Sequence, residues 1–309
     1  MPAKSKVTAS KAGSHEKVAQ GHLTLLLPMK SPSDGEAARD KFKSLMPAMY
    51  RAADAMGTIH YFRLIELDVK RFVFIAEFDG DLEGFLSDFG KNFGPSLDTL
   101  LAHVTQAPPT PVASHLNAFV KWAEARYLKP FTSYEACPGV SVKKIKSLAS
   151  HAGITYAEGV GPQRPLLVIM PMKSSLSIKV VKVALATLHK HLVKGADAVG
   201  TVHFAHLPEL SASEVGFFTA YDGPFDKYLQ DFASQLGPAF DLLFKFITDS
   251  PSTPTAKHAD EFTKWVYEHD WCPIGFYNAY PGLSVQDIKA LLADEHAEKQ
   301  SERALRSAR

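Results

Sequence analysis

The chain has little cysteine, no dominant sign of charge and no long apolar run, and each shortage excludes something. Only two cysteines occur in 309 residues, too few for a disulfide scaffold and suited to a reducing, cytoplasmic setting. Lys and Arg number 34 against 33 Asp and Glu, a formal net charge of +1; a dedicated nucleic-acid binder carries a strong basic excess. No uncharged apolar stretch approaches the roughly 18 residues of a membrane-spanning helix. Residues 1–21 are rich in Lys, hold no aromatic residue and lack the apolar core of a secretion signal, so they read as a disordered basic tail. What is present is ordinary globular composition, 46% hydrophobic and 22% charged, with ample material for a core.

The main positive signal is an internal duplication at a fixed offset. Gly57-Thr58-Ile59-His60 returns as Gly200-Thr201-Val202-His203, which sets the offset at 143 residues. The same shift lays Pro28–Ser31 on Pro171–Ser174, Asp79-Gly80 on Asp222-Gly223, Gly94-Pro95 on Gly237-Pro238, Trp122 on Trp265 and Pro138-Gly139 on Pro281-Gly282. No gap is needed across 22–149 and 165–292, and about a third of the aligned positions are identical. A period of that length means two copies of one domain rather than a solenoid. Residues 150–164, rich in Gly, read as the linker, and 293–309 as a charged helical tail.

Each copy reads in the same order. Leu23–Pro28 and Leu166–Met170 are short apolar strands, followed by long helical stretches with apolar spacing, clearest at Val181, Leu185, Leu188 and Leu192. Thr58–Leu67 and Phe72–Phe78 form a hairpin, then come helices broken at Gly94-Pro95, a last strand at Phe131–Cys137 and a helix from Val142. This order contains β-α-β-β-α-β, the ferredoxin-like unit. Its strands are apolar on both faces, so the sheet left bare by its helices needs a cover. The second copy supplies it. The expected fold is α+β: tandem ferredoxin-like modules packed sheet to sheet as a pseudo-dimeric α+β barrel, with a pocket between the sheets.

The segments GTVHFAHLPEL (200–210), FFTAYDGPFDKYLQDF (217–232) and FYNAYPGLSVQDI (276–288) carry a family likeness. On them the chain resembles the dimeric α+β-barrel superfamily in a fused two-copy form. That superfamily includes dye-decolourising peroxidases, chlorite dismutases, small-molecule monooxygenases and polyketide cyclases. The resemblance implies a small-molecule protein, with haem as an expected cofactor in its peroxidase branch. The acidic Gly-x-x-Asp-Gly motif of those peroxidases is absent: no Gly stands before Glu77-Phe78-Asp79 or before Ala220-Tyr221-Asp222.

Positions that change chemical type between the copies are candidates for a single site. Arg63 and Glu77 become His206 and Ala220 in copy two. Arg63 and Glu77 lie on neighbouring strands and pair if they share a face, whereas His206 stands alone as a candidate general base or haem-type ligand. His203 joins it as a candidate, although odd spacing along one strand points the two histidines to opposite faces. His60 and His203 are either buried histidines bonded within the fold or groups meeting in the cleft by pseudo-twofold symmetry. Phe62, Phe74, Phe217, Phe218 and Tyr221 are expected to line the pocket, with His60 and Glu77 beside them. No Cys or His spacing resembles a zinc site, so no metal is expected.

Three functional readings follow: a haem-dependent, peroxidase-like oxidoreductase; a cofactor-free binding or cyclase-like module; and a non-catalytic interaction protein. The expected partner is a small apolar molecule, with no nucleic acid and no membrane. A fused pair completes its own barrel, so both a monomer and a homodimer are open.

Overall fold

The structure, a computed structural model, describes residues 18–154 and 163–307. Most of the basic tail and the middle of the linker lie outside the described residues. The first strand begins at Gln20, just inside the span read as tail.

Repeat one runs β1 (Gln20–Pro28), α1 (Pro32–Met56), β2 (Ile59–Asp68), β3 (Arg71–Asp79), α2 (Leu82–Asn92), α3 (Gly94–Leu101), α4 (Leu116–Glu124), β4 (Pro130–Glu135) and α5 (Val142–His151). Repeat two runs β5 (Gln163–Pro171), α6 (Ser175–Val199), β6 (Val202–Ser211), β7 (Glu214–Asp222), α7 (Phe225–Phe244), α8 (Ala259–His269), β8 (Gly275–Asn278) and α9 (Val285–Ser307). Local chemistry repeats at the 143 offset. The hydroxyls of Ser31 and Ser174 accept the Asp34 and Ser177 N–H groups at the starts of α1 and α6. Gly57 and Gly200 end those helices with φ of 60° and 74°, the left-handed cap that glycine adopts without a Cβ clash. The Gly-Pro pair behaves differently in the two copies. It separates α2 from α3 in repeat one, but α7 runs unbroken through Gly237 and Pro238.

The strands form two four-stranded antiparallel sheets, ordered β1-β3-β2-β8 and β4-β6-β7-β5. The repeats therefore exchange their last strands. β8 of repeat two pairs with β2, and β4 of repeat one pairs with β6. Exchange closes the seams as well. The Leu128 N–H donates to the Thr24 carbonyl at 2.9 Å and the Trp271 N–H to that of Leu167 at 3.0 Å, so the edge strands β1 and β5 each gain a main-chain partner. Arg71 bonds Glu214 with both terminal nitrogens, at 2.6 and 3.2 Å. These residues occupy equivalent positions 143 apart, so the bridge crosses the pseudo-twofold axis.

Period-2 alternation sorts the strand residues into layers. Leu23, Leu25, Phe62, Leu64 and Phe74 pack under α1 and α2, and Val168, Met170, Phe217 and Tyr221 under α6 and α7. Between the sheets lie Ile65, Val73, Ile75, Leu167, Ile169 and Phe218. Among the described residues no helix is long and apolar enough to cross a membrane.

Candidate functional site

Two features of the interior differ between the repeats, and only the first lies in the layer that the sequence pointed to. The first is a polar cluster between the sheets. Arg63 faces Ile75 across the β2–β3 ladder while Glu77 faces Tyr61, which puts Arg63 and Glu77 diagonally on one face. They form a bidentate pair at 2.8 and 2.7 Å, both fully buried. His206 arrives from β6, its Nδ1 3.5 Å from Glu77 Oε1 and its Nε2 3.1 Å from Thr24 Oγ1. Burial, reinforced by His22 and Arg63 nearby, holds His206 well below the usual imidazole range, so it is neutral. His22 lies beside it at a ring separation of 4.8 Å. The His22 Nε2 is 2.6 Å from Glu135 Oε1; burial opposes ionisation of Glu135, yet the His22 bond keeps this carboxyl below its ordinary range.

Sequence reasoning missed His22, Thr24 and Glu135. The signal was available, because their equivalents are Pro165, Leu167 and Asn278. The cluster thus exists once per chain. Five of its six residues come from repeat one, and strand exchange carries Glu135 to the opposite sheet.

His60 and His203 belong to a second, symmetric pair of contacts. His60 Nε2 lies 2.9 Å from Asp79 Oδ1, and His203 Nε2 2.7 Å from Asp222 Oδ1. The other oxygens of Asp79 and Asp222 accept the Val142 and Val285 N–H groups at the starts of α5 and α9. The expectation that His203 and His206 face opposite ways fails, because the register shifts between Val202 and Phe204. Such an irregularity re-aims side chains, and the His203 ring packs beside Tyr61 at 5.5 Å. His60 sits likewise beside Phe204 at 4.9 Å.

The pocket expected between the sheets is not where its residues lie. Of the five aromatics assigned to it, only Phe218 faces that layer. Phe62 stacks on Phe74 at 5.5 Å and on Tyr277 at 5.2 Å, under the helices of its sheet. Phe217 packs on Phe232 at 5.6 Å, and Tyr221 on Tyr228 at 3.9 Å. Haem does not fit on His206 either. Both nitrogens face protein groups, the ring is flanked by His22 and Phe218, and the residue has no exposed surface.

The second feature is a cavity on the outer face of sheet two, beneath α6 and α7. Its enclosed part measures about 60 Å³, within a hollow of about 610 Å³ once the open mouth is counted. Met170, Leu185, Ala205, Phe217, Leu236 and Phe240 line its wall, and Thr132, Ser133 and Tyr134 bring the polar side chains. The Tyr134 hydroxyl donates to Asp197 at 2.8 Å. Burial, with that carboxylate beside it, raises its pKa far above the phenol range, so it stays protonated.

Repeat one shows why the space is there. At the equivalent positions Leu185 is Phe42, Val193 is Tyr50, Ala205 is Phe62 and Leu236 is Phe93. These rings fill the volume: Tyr50 and Phe93 meet Phe62 at 5.7 and 5.9 Å. The interior of repeat one is packed as cores ordinarily are, and repeat two has exchanged four large side chains for smaller ones.

Topology and interior together define a tandem α+β barrel with one polar layer and one open cavity. No known protein family matches the chain, and no curated protein matches it. Among solved structures, it is similar to a candidate monooxygenase from Fusobacterium nucleatum, with 11% identity, a TM-score of 0.36 and 86% of this chain and 97% of that one covered. It is also similar to a candidate monooxygenase from Lactobacillus acidophilus, with 10% identity, a TM-score of 0.30 and 86% and 99% covered. A third is an anthrone oxidase-like protein, with 10% identity, a TM-score of 0.28 and 87% and 96% covered. The fold assignment rests on the sheet order described above.

Proposed function

We propose that the protein binds a small apolar molecule in the cavity of repeat two. The observation that carries this reading is the exchange of Phe42, Tyr50, Phe62 and Phe93 for Leu185, Val193, Ala205 and Leu236. A void left empty forfeits contact energy, at roughly 24 cal/mol per Å³ in measured cases, so an occupant offsets a real deficit. The lining sets the ligand class: an almost wholly aliphatic and aromatic wall, with Thr132, Ser133 and Tyr134 at its edge, suits a hydrocarbon ligand. Thr132 Oγ1 is already 3.2 Å from His189 Nδ1, which places an exposed imidazole next to that edge.

The same lining favours binding over turnover. Tyr134 is its one ionisable side chain, and its proton is committed to Asp197. His206, His203 and Arg63 each contact other protein groups in the opposite layer and do not line the cavity. A haem-dependent oxidation has no seat at His206, so no step is assigned to it.

Titration with a fluorescent naphthalene probe tests the reading. Saturable 1:1 binding that Ala205→Phe abolishes supports it, because that change restores the packing of repeat one. Binding unaffected by Ala205→Phe, or none in the wild-type chain, overturns it.

A further inference from the structure

The polar cluster between the sheets has a composition that ion pairing alone does not explain. His22 and His206 are both buried, and each has Nε2 bonded to an oxygen, that of Glu135 or Thr24. In each ring Nδ1 is a buried nitrogen with no hydrogen-bond partner. Two orphaned imidazole nitrogens side by side are a costly arrangement unless something accepts their lone pairs. The carboxylate of Glu77 completes the group. His22, Glu77 and His206 each offer a ligand atom, all within 4.8 Å of one another.

We propose that His22, Glu77 and His206 form a binding site for one divalent transition-metal ion of the zinc or ferrous class, placed between the two sheets. Two imidazoles and one carboxylate are a donor set that such ions favour. The outer partners fit as well. A metal-bound histidine commonly gives its other N–H to a carboxylate or another oxygen, which fixes the tautomer. Glu135 and Thr24 stand in those places for the two rings. Bonds of about 2.1 Å at tetrahedral angles put neighbouring ligand atoms about 3.4 Å apart. His206 Nδ1 and Glu77 Oε1 already stand at 3.5 Å, so His22 is the ligand that must close in.

The bridge from Arg63 leaves a second lone pair on each Glu77 oxygen. With Glu77 and Glu135 ionised and Arg63 cationic, the cluster carries one negative charge before an ion enters. The site is sealed, so the ion is structural, and it links strands β1 and β3 of repeat one to β6 of repeat two.

The test uses the full-length, untagged chain, expressed in minimal medium with Co²⁺ or Cd²⁺ as the only added transition metal. The expected result is about one ion per chain, visible as cobalt d–d absorption. It is lost in His22→Gln and in His206→Gln but kept in His269→Gln. Should the two site variants fail to fold, X-ray absorption at the cobalt edge of the wild-type protein decides: two imidazoles and a carboxylate oxygen support the site. A wild-type chain that takes up no ion, or whose shell is all oxygen or includes sulfur, overturns it. Naphthalene binding in the cavity is read separately, so either result stands without the other.

Discussion

The two repeats keep the same caps, hairpins and histidine–aspartate contacts, yet their interiors have gone separate ways. Repeat one is tightly packed under its helices and supplies most of the charge between the sheets. Repeat two is open under its helices and contributes the neutral His206 and the small Ala220 to the middle layer. Duplication made this possible. Once one copy secures the fold with Phe62 stacked on Phe74 and edge-on to Phe93, the other can lose volume without losing the architecture. Similarly, a buried charged cluster is needed in only one of two equivalent places, since the exchanged strands tie both halves into one barrel.

The largest expected effect breaks the charged half of the comparison. Glu77→Ala gives repeat one the residue of repeat two and leaves Arg63 buried without its partner. Such a change costs about 3–5 kcal/mol, read from urea unfolding. A loss below about 1 kcal/mol would mean that water reaches the layer. Next, Phe62→Ala should open in repeat one the space that Ala205 leaves in repeat two, at about 3–5 kcal/mol. The reverse change, Ala205→Phe, should leave stability within about 1.5 kcal/mol of wild type if the ring fills the cavity. Overpacking would show as a larger loss.

Two smaller effects test the equivalence of the halves. Asp79→Asn and Asp222→Asn should each cost about 1–3 kcal/mol, because each weakens a bond to a histidine and one to a helix N-terminus. Unequal losses would show that the matching geometry hides unequal roles. Last, Arg71→Ala removes the bridge to Glu214 across the pseudo-twofold axis. Both partners are partly exposed, so the expected loss is under about 1 kcal/mol and shrinks further in high salt.

Much of this was legible in the sequence. The 143 offset, the hairpins and the cap glycines all follow from local patterns, and the change of Arg63 with Glu77 into His206 with Ala220 pointed to the right strands. Strand exchange was not legible, because β4 and β8 carry the same pattern whichever sheet they join. The placement of the aromatics failed for a related reason. Alternation says that Phe62 and Leu64 share a face, but when both faces are apolar it does not say which one meets the other sheet. His22 and Thr24 lie on β1, Glu135 on β4 and His206 on β6, three strands far apart in the chain, so no spacing rule could unite them. Comparing the repeats position by position would have marked them, and it would also have marked Ala205 opposite Phe62 as missing volume.

The claim that repeat two is open and repeat one closed is tested most directly by methyl-resolved NMR during titration with indole. Binding in the cavity predicts saturable shifts at the methyls of Met170, Leu185, Leu236 and Leu243, while Leu25, Leu64 and Met49 in repeat one stay silent. Shifts of equal size in both repeats, or none at the methyls of repeat two, would contradict the account.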